Sequence, residues 1–284
     1  MTIHRTGVSI QSLSTYYLRM YTSHSETVMS TATGFLYEHQ DEIFLITNGH
    51  NVTRIHPDTK ERIFNSAAFP TMIRSKAKTK IDDQVGLSEF FTVKLYDDED
   101  FTIPRWYVHP EFGYQVDVVA IPLDRKANIP DHVIIVPLNT LRFDEQYPIR
   151  VADDVFILGY PLDIKGHGEL PIWKRGTIAS EPDVEINGLP KMLVDTATRS
   201  GMSGSPVIMR RTGFHSSQSI EDQNKNGLHP TDLVGTIENF VGVYSGRIGS
   251  DNEFQAQLGI VWKKEVISKI LDNKQLGTIE FQNQ

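Results

Sequence analysis

Short apolar runs rich in β-branched residues, separated by Gly, Pro, Asn and Asp, recur from one end of this chain to the other. That rhythm constrains the fold more than any other feature, because it is the pattern of an all-β barrel protein. Phe44-Leu45-Ile46-Thr47, Val118-Val119-Ala120-Ile121 and Phe156-Ile157-Leu158 are examples. A different period appears between Lys263 and Leu271, where Val266, Ile267, Ile270 and Leu271 fall on one stripe and predict a C-terminal helix. The 284 residues, 39% of them hydrophobic, suffice for one domain or two around an ordinary core.

One segment stands apart from plain strands and turns. In Arg199-Ser200-Gly201-Met202-Ser203-Gly204-Ser205-Pro206-Val207-Ile208 a serine sits between two glycines, ahead of a strand-like run. A serine hydroxyl is a poor nucleophile at neutral pH. It becomes useful where bent backbone aims N–H groups at a developing oxyanion, and glycine permits the bend by taking φ > 0 without steric cost. Alone, the segment reads equally well as an ordinary turn. Upstream, Phe44-Leu45-Ile46-Thr47-Asn48-Gly49-His50 places His50 just past a buried strand, where a histidine is more often structural than catalytic. In Val116-Asp117-Val118-Val119-Ala120-Ile121 one carboxylate opens an apolar run. A buried charge needs a partner, although Asp117 could also cap a turn from Gly113. Taken together, a buried acid, a histidine at a strand end and a serine in a glycine elbow are the parts of a nucleophilic triad, in the order His50, Asp117, Ser203.

Further segments extend the pattern. Thr33-Gly34-Phe35-Leu36 leads into the histidine strand, Phe156-Ile157-Leu158-Gly159-Tyr160-Pro161 and Lys174-Arg175-Gly176-Thr177-Ile178 follow, and Asp195-Thr196-Ala197 precedes the serine. In this order they resemble the segments of trypsin-like (chymotrypsin-fold) serine peptidases of the cysteine-free bacterial type, especially the high-temperature-requirement proteases and glutamyl endopeptidases. The resemblance covers about residues 30 to 265. It implies two six-stranded antiparallel Greek-key barrels: an N-terminal barrel over 8–125 with His50 and Asp117, a linker over 126–149, and a C-terminal barrel with the terminal helix over 150–284, carrying Ser203. The activity it implies is that of a serine endopeptidase working on a protein or peptide substrate through an acyl-enzyme, without a cofactor.

The resemblance also assigns supporting roles. The N–H groups of Gly201 and Ser203 would form the oxyanion hole, and Ser245 would support the catalytic acid. An extended substrate would pair with Tyr244 to Arg247, so Ala197, Thr198, Tyr244, Gly246 and Arg247 are the substrate-binding candidates. Ala197 takes the position where trypsin has its acid, which argues against Lys or Arg in the first subsite. Thr198 matches a threonine of glutamyl endopeptidases, but Tyr244 stands where they have a histidine. With Gly246 and Gly259 leaving the walls open, the expected subsite is uncharged and moderately apolar, glutamate being the alternative. Met202 replaces the aspartate that digestive relatives pair with a new N-terminus, so that activation switch is absent. Ser200, the substrate or a partner must order the oxyanion loop instead.

Composition excludes several other classes. A net charge of −8 argues against nucleic acid as the main partner. The alternating basic stretch Ile73 to Lys80 fits an exposed strand or hairpin, and Asp97-Asp98-Glu99-Asp100 lacks the ligand spacing of a calcium loop and reads as an exposed turn. The ten histidines show no metal-binding spacing, and with no cysteine there are no disulfides. No signal-peptide core or membrane span is evident, so a cytoplasmic location without membrane partners is expected. Arg54 to Phe90 is longer than the usual connection after the histidine, and the polar segment Arg210 to Asp232 is expected to be a mobile loop. Control by a regulatory protein partner, or by ordering of 210–232, would hold such an enzyme in check. The rival reading is a catalytically silent trypsin-fold protein that binds peptides or partners.

Overall fold

Alternating burial builds the first sheet. Along β4 (Met72–Ile81), Ile73, Ser75, Ala77 and Thr79 are buried while Met72, Arg74, Lys76 and Lys78 are half-buried on the opposite face, the two-residue period of a strand with one wet side. The basic stretch is therefore a strand, as its spacing predicted. In the computed structural model, which describes residues 7–279 apart from 24, 58, 64–67, 82–83, 125–128, 130–131, 198, 217, 219–221, 223–224, 226–227 and 248–257, β4 belongs to an antiparallel sheet of eight strands. The others are β1 (Thr15–Tyr21), β2 (Ser30–His39), β3 (Glu42–Thr47), β5 (Gln84–Lys94), β6 (Tyr107–Val108), β7 (Val119–Leu123) and β14 (Gln275–Leu276), in the order β14-β6-β7-β3-β2-β1-β4-β5.

The sheet curls back on itself. Arg105 N donates to Leu95 O at 2.9 Å and Asp97 N to Ile103 O at 3.0 Å, which joins the continuation of β5 to the segment before β6. The acidic run lies in this turn, where the exposed Asp98 carboxylate accepts from Thr102 N, Thr102 Oγ1 and Ile103 N. The second sheet is a closed six-stranded barrel, β10-β13-β12-β11-β8-β9, formed by β8 (Asp154–Gly159), β9 (Ile172–Ile178), β10 (Lys191–Asp195), β11 (Pro206–His215), β12 (Leu233–Arg247) and β13 (Leu258–Lys263). The double barrel expected from the sequence is present. The first unit exceeds six strands by the two-residue pieces β6 and β14.

One expectation needs correction. Arg210 to His215 is not loop but the outer half of β11, paired with Leu233 to Glu238 of β12. These residues are polar because the hairpin projects into solvent: Arg210 pairs with Glu238, and the Thr212 and Thr236 hydroxyls meet at 2.9 Å. About half of the connection that remains, 216–232, lies outside the described residues.

After the short helices α1 (Ile10–Leu13) and α2 (Gly49–Thr53), helix α3 (Glu265–Asn273) buries Val266, Ile267, Ile270 and Leu271, the predicted stripe. They pack with Phe35, Phe44 and Ile46 of the first sheet and with Phe240 and Trp262 of the second, so the helix seals the seam between barrels. Past a left-handed cap at Lys274 (φ 46°), the chain returns to the first barrel as β14. There Gly277 N donates to Trp106 O at 2.9 Å, and Ile279 packs into the first core. No helix among the described residues is long and apolar enough to cross a membrane.

A Cβ on Gly277 would lie 2.3 Å from Trp106 Nε1 and 2.6 Å from Tyr114 Oη. Gly277→Ala is accordingly expected to cost about 1–3 kcal/mol, as overpacking does, and urea unfolding will read this as a lower midpoint at unchanged slope.

Candidate active site

Strand β3 ends at Thr47, and the backbone turns at once into the single-turn helix α2 (Gly49–Thr53). Asn48 Nδ2 anchors that turn on the Asp117 carbonyl at 2.6 Å. Gly49 allows the close approach, since a Cβ there would meet Asp117 Oδ1 at 3.2 Å. His50 thereby faces Asp117, which is 2% exposed and lies just ahead of β7. The carboxylate that had to be satisfied accepts three hydrogen bonds: His50 N at 2.9 Å, His50 Nδ1 at 2.6 Å and Ser245 Oγ at 2.5 Å. With Nδ1–H committed to the carboxylate, the lone pair of a neutral imidazole is on Nε2. Ser245 comes from the other barrel, where β12 shifts register against β13 between Tyr244 and Gly246. An extra residue of this kind re-aims a side chain.

Ser203 sits in the elbow between β10 and β11. Gly201 (φ 91°) and Gly204 (φ 86°) take left-handed conformations, and a Cβ on them would lie 2.3 Å from Tyr160 O and 2.1 Å from Thr33 O. The elbow is stitched to the first barrel. Thr33 N donates to Ser203 O at 2.9 Å, Thr33 Oγ1 to Gly201 O at 2.8 Å, and Asn51 Nδ2, on the histidine helix, reaches Ser203 O at 3.4 Å. Among the described residues no hydrogen bond joins the Ser203 hydroxyl to His50. Nor do the N–H groups of Gly201 and Ser203 donate to any of them. Met202 is fully buried in the second core, where the absence of a Cβ at Gly159 leaves room for its sulfur.

The specificity candidates divide. Ala197 is half-buried just past β10, and Gly246 (φ 131°) has open space where a side chain would stand. Gly259 is not the open wall its sequence position implied: a Cβ there would lie 2.5 Å from the ring of Tyr244, which fills the space and is itself 1% exposed. Tyr244 also brackets the elbow through its backbone, accepting from Gly204 N and donating to Ser205 O, both at 2.9 Å. Thr198 lies outside the described residues, as does the side chain of Arg247, whose backbone pairs with Gly259.

Sequence reasoning missed Thr33, Asn51 and Tyr114. Thr33 was visible only as part of a hairpin motif, and nothing local marks Asn51. Tyr114 borders His50 and Asp117, and its hydroxyl accepts from Trp106 Nε1 (2.9 Å) and Thr278 N (3.1 Å) and donates to Thr278 O (3.0 Å). Burial pushes that phenol up to about 12, keeping its proton in place. Gly204→Ala should cost about 2–4 kcal/mol, combining a left-handed φ with a carbonyl clash, and chemical denaturation will measure it.

Residues 32–214 match the profile of the family described as Trypsin-like peptidase domain. Two solved structures run alongside nearly the whole chain. The crystal structure of Rv3671c from M. tuberculosis H37Rv, a serine-to-alanine mutant in its inactive form, is 14% identical, covers 95% of this chain and 91% of that chain, and has a TM-score of 0.46. The Rv3671c protease, inactive form, is 15% identical, covers 95% and 93%, and has a TM-score of 0.43. Likeness at that level adds nothing to the family match. No curated protein matches the sequence.

Proposed function

The chain belongs to the trypsin-like peptidase family, and from that premise we propose that it is a serine endopeptidase with Ser203 as nucleophile, His50 as base and Asp117 as its orienting acid. The observation that carries this reading is the buried Asp117 carboxylate shared by His50 Nδ1 at 2.6 Å and Ser245 Oγ at 2.5 Å. A carboxylate so placed fixes the imidazole tautomer with Nε2 free to take a proton, and stabilises the imidazolium that results. Ser203 Oγ attacks the scissile carbonyl as His50 removes its proton. The tetrahedral oxyanion is held by the N–H groups of Gly201 and Ser203, each worth about 3 kcal/mol in sites of this kind. His50 then protonates the leaving amine, and water repeats the sequence on the acyl-enzyme.

The substrate is a protein or peptide in extended form. Strand β11 leaves β12 at Val243 and the elbow takes both backbone groups of Tyr244, so among the described residues the edge of β12 is open to a substrate strand from Ser245 onward rather than from Tyr244. Ala197 brings no charge to the first subsite, which favours an uncharged, moderately apolar residue, with glutamate the alternative. A peptide library cleaved mainly after Lys or Arg would overturn that preference.

The catalytically silent alternative draws on one observation, the missing hydrogen bond between Ser203 and His50. Such bonds are often long before substrate arrives and tighten in the complex. Intact mass after incubation with a fluorophosphonate separates the two readings. One adduct is expected on the native protein and none on Ser203→Ala, whose kcat should fall by about 10⁶. Absence of an adduct on the native protein would sink the peptidase reading. Ser245→Ala removes a hydrogen bond to a charged group, worth about 1.5–3 kcal/mol, so kcat should drop roughly 10- to 100-fold in steady-state assays.

A further inference from the structure

The orientation of the Gly201 N–H depends on a single peptide unit. Leu162 N donates to Ser200 O at 2.8 Å. The peptide between Ser200 and Gly201 is planar and trans, so holding its carbonyl on Leu162 points its N–H the opposite way. The segment that offers Leu162 is poorly built to stay in place by itself. Leu162 (φ 50°), Asp163 (φ 61°) and Glu169 (φ 61°) are all left-handed non-glycine residues, a backbone state that persists only where the surroundings impose it.

Those surroundings belong largely to the first barrel. Glu169 Oε1 is 2.5 Å from Arg19 Nη2 on β1, 3.4 Å from Lys76 Nζ on β4 and 3.7 Å from Lys165 Nζ in the same segment. Arg19 and Lys165 both lie over the Tyr17 ring, at 4.5 and 4.1 Å. Thr31 Oγ1 donates to Asp163 Oδ1 at 2.5 Å, and the Tyr160 hydroxyl is within reach of Thr15 O (3.1 Å) and Glu169 O (3.0 Å). We propose that Glu169, clamped by Arg19, Lys76 and Lys165, is a positioning residue for the oxyanion donor Gly201. It does for this chain, across the barrel seam, part of what a newly cut N-terminus does in the digestive enzymes. Burial works against its charge, yet the Arg19 hydrogen bond and the three cations hold its carboxyl below the usual range.

This inference rests on the serine-peptidase reading, and its test keeps the two apart. Glu169→Gln should lower the second-order rate of fluorophosphonate labelling by about tenfold, a fraction of the effect of deleting an oxyanion donor. It should lower kcat at nearly constant KM, and leave unchanged the Kd of a library-derived peptide measured on the Ser203→Ala background. A merely structural role would weaken peptide binding and labelling together. Labelling at the native rate, or a loss matched by weaker peptide binding, would overturn the proposal while leaving the peptidase reading intact. No adduct on the native protein would overturn both. Should Glu169→Gln lose its near-UV circular dichroism, Lys165→Met removes one cation from a half-exposed position and is expected to slow labelling two- to fivefold; an unchanged rate there would also overturn the proposal.

Discussion

A carboxylate with almost no contact with water sits where the two barrels meet, and much of the molecule is arranged to satisfy it. Asp117 takes hydrogen bonds from the backbone and ring of His50 in one barrel and from Ser245 in the other. An unpaired buried charge would be too costly to keep, so burying this one obliges three separate stretches of chain to converge. The short helix α2, the register shift in β12 and the approach to β7 are the local means of that convergence. The seam is thus specified by polar chemistry as well as by the apolar residues of α3 that close it from the far side.

The elbow that carries Ser203 is secured differently, by backbone. Its carbonyls at Ser203 and Gly201 are held by Thr33, and Thr33 O is in turn held by Thr47 Oγ1 at 2.8 Å. Two adjacent strands of the first barrel therefore set the height of the serine in the second. The Gly201 and Ser203 N–H groups donate to none of the described residues while the carbonyls beside them are bonded, the division of labour that the proposed oxyanion site requires. Buried Met202 supplies an apolar anchor at the position where digestive relatives use an ion pair.

Much of this was legible in the sequence because it lies in local pattern. Period-two runs announced the strands, the stripe Val266-Ile267-Ile270-Leu271 announced the helix, and a lone acid in an apolar run announced Asp117. The outer half of the β11–β12 hairpin was misread since its wet face, with Thr212 and Phe214 exposed, and Arg210, Arg211 and Gly213 beside them carry the composition of a loop. The closed space at Gly259 was invisible because it depends on where the Tyr244 ring points, which no spacing records. Thr33, Asn51, Tyr114 and Glu169 act through partners distant in sequence, and ordinary residue types at ordinary spacings give no sign of such roles.

The return of the chain to its first barrel as β14 has a consequence for biogenesis. A ribosome delivers polypeptide in order, and domains commonly begin to fold as they emerge. Here the wall beside His50 waits for Gly277 to bond Trp106 and Thr278 to bond Tyr114, and those residues follow the whole of the second barrel. Translation order alone therefore delays completion of that wall until the second barrel has been synthesised.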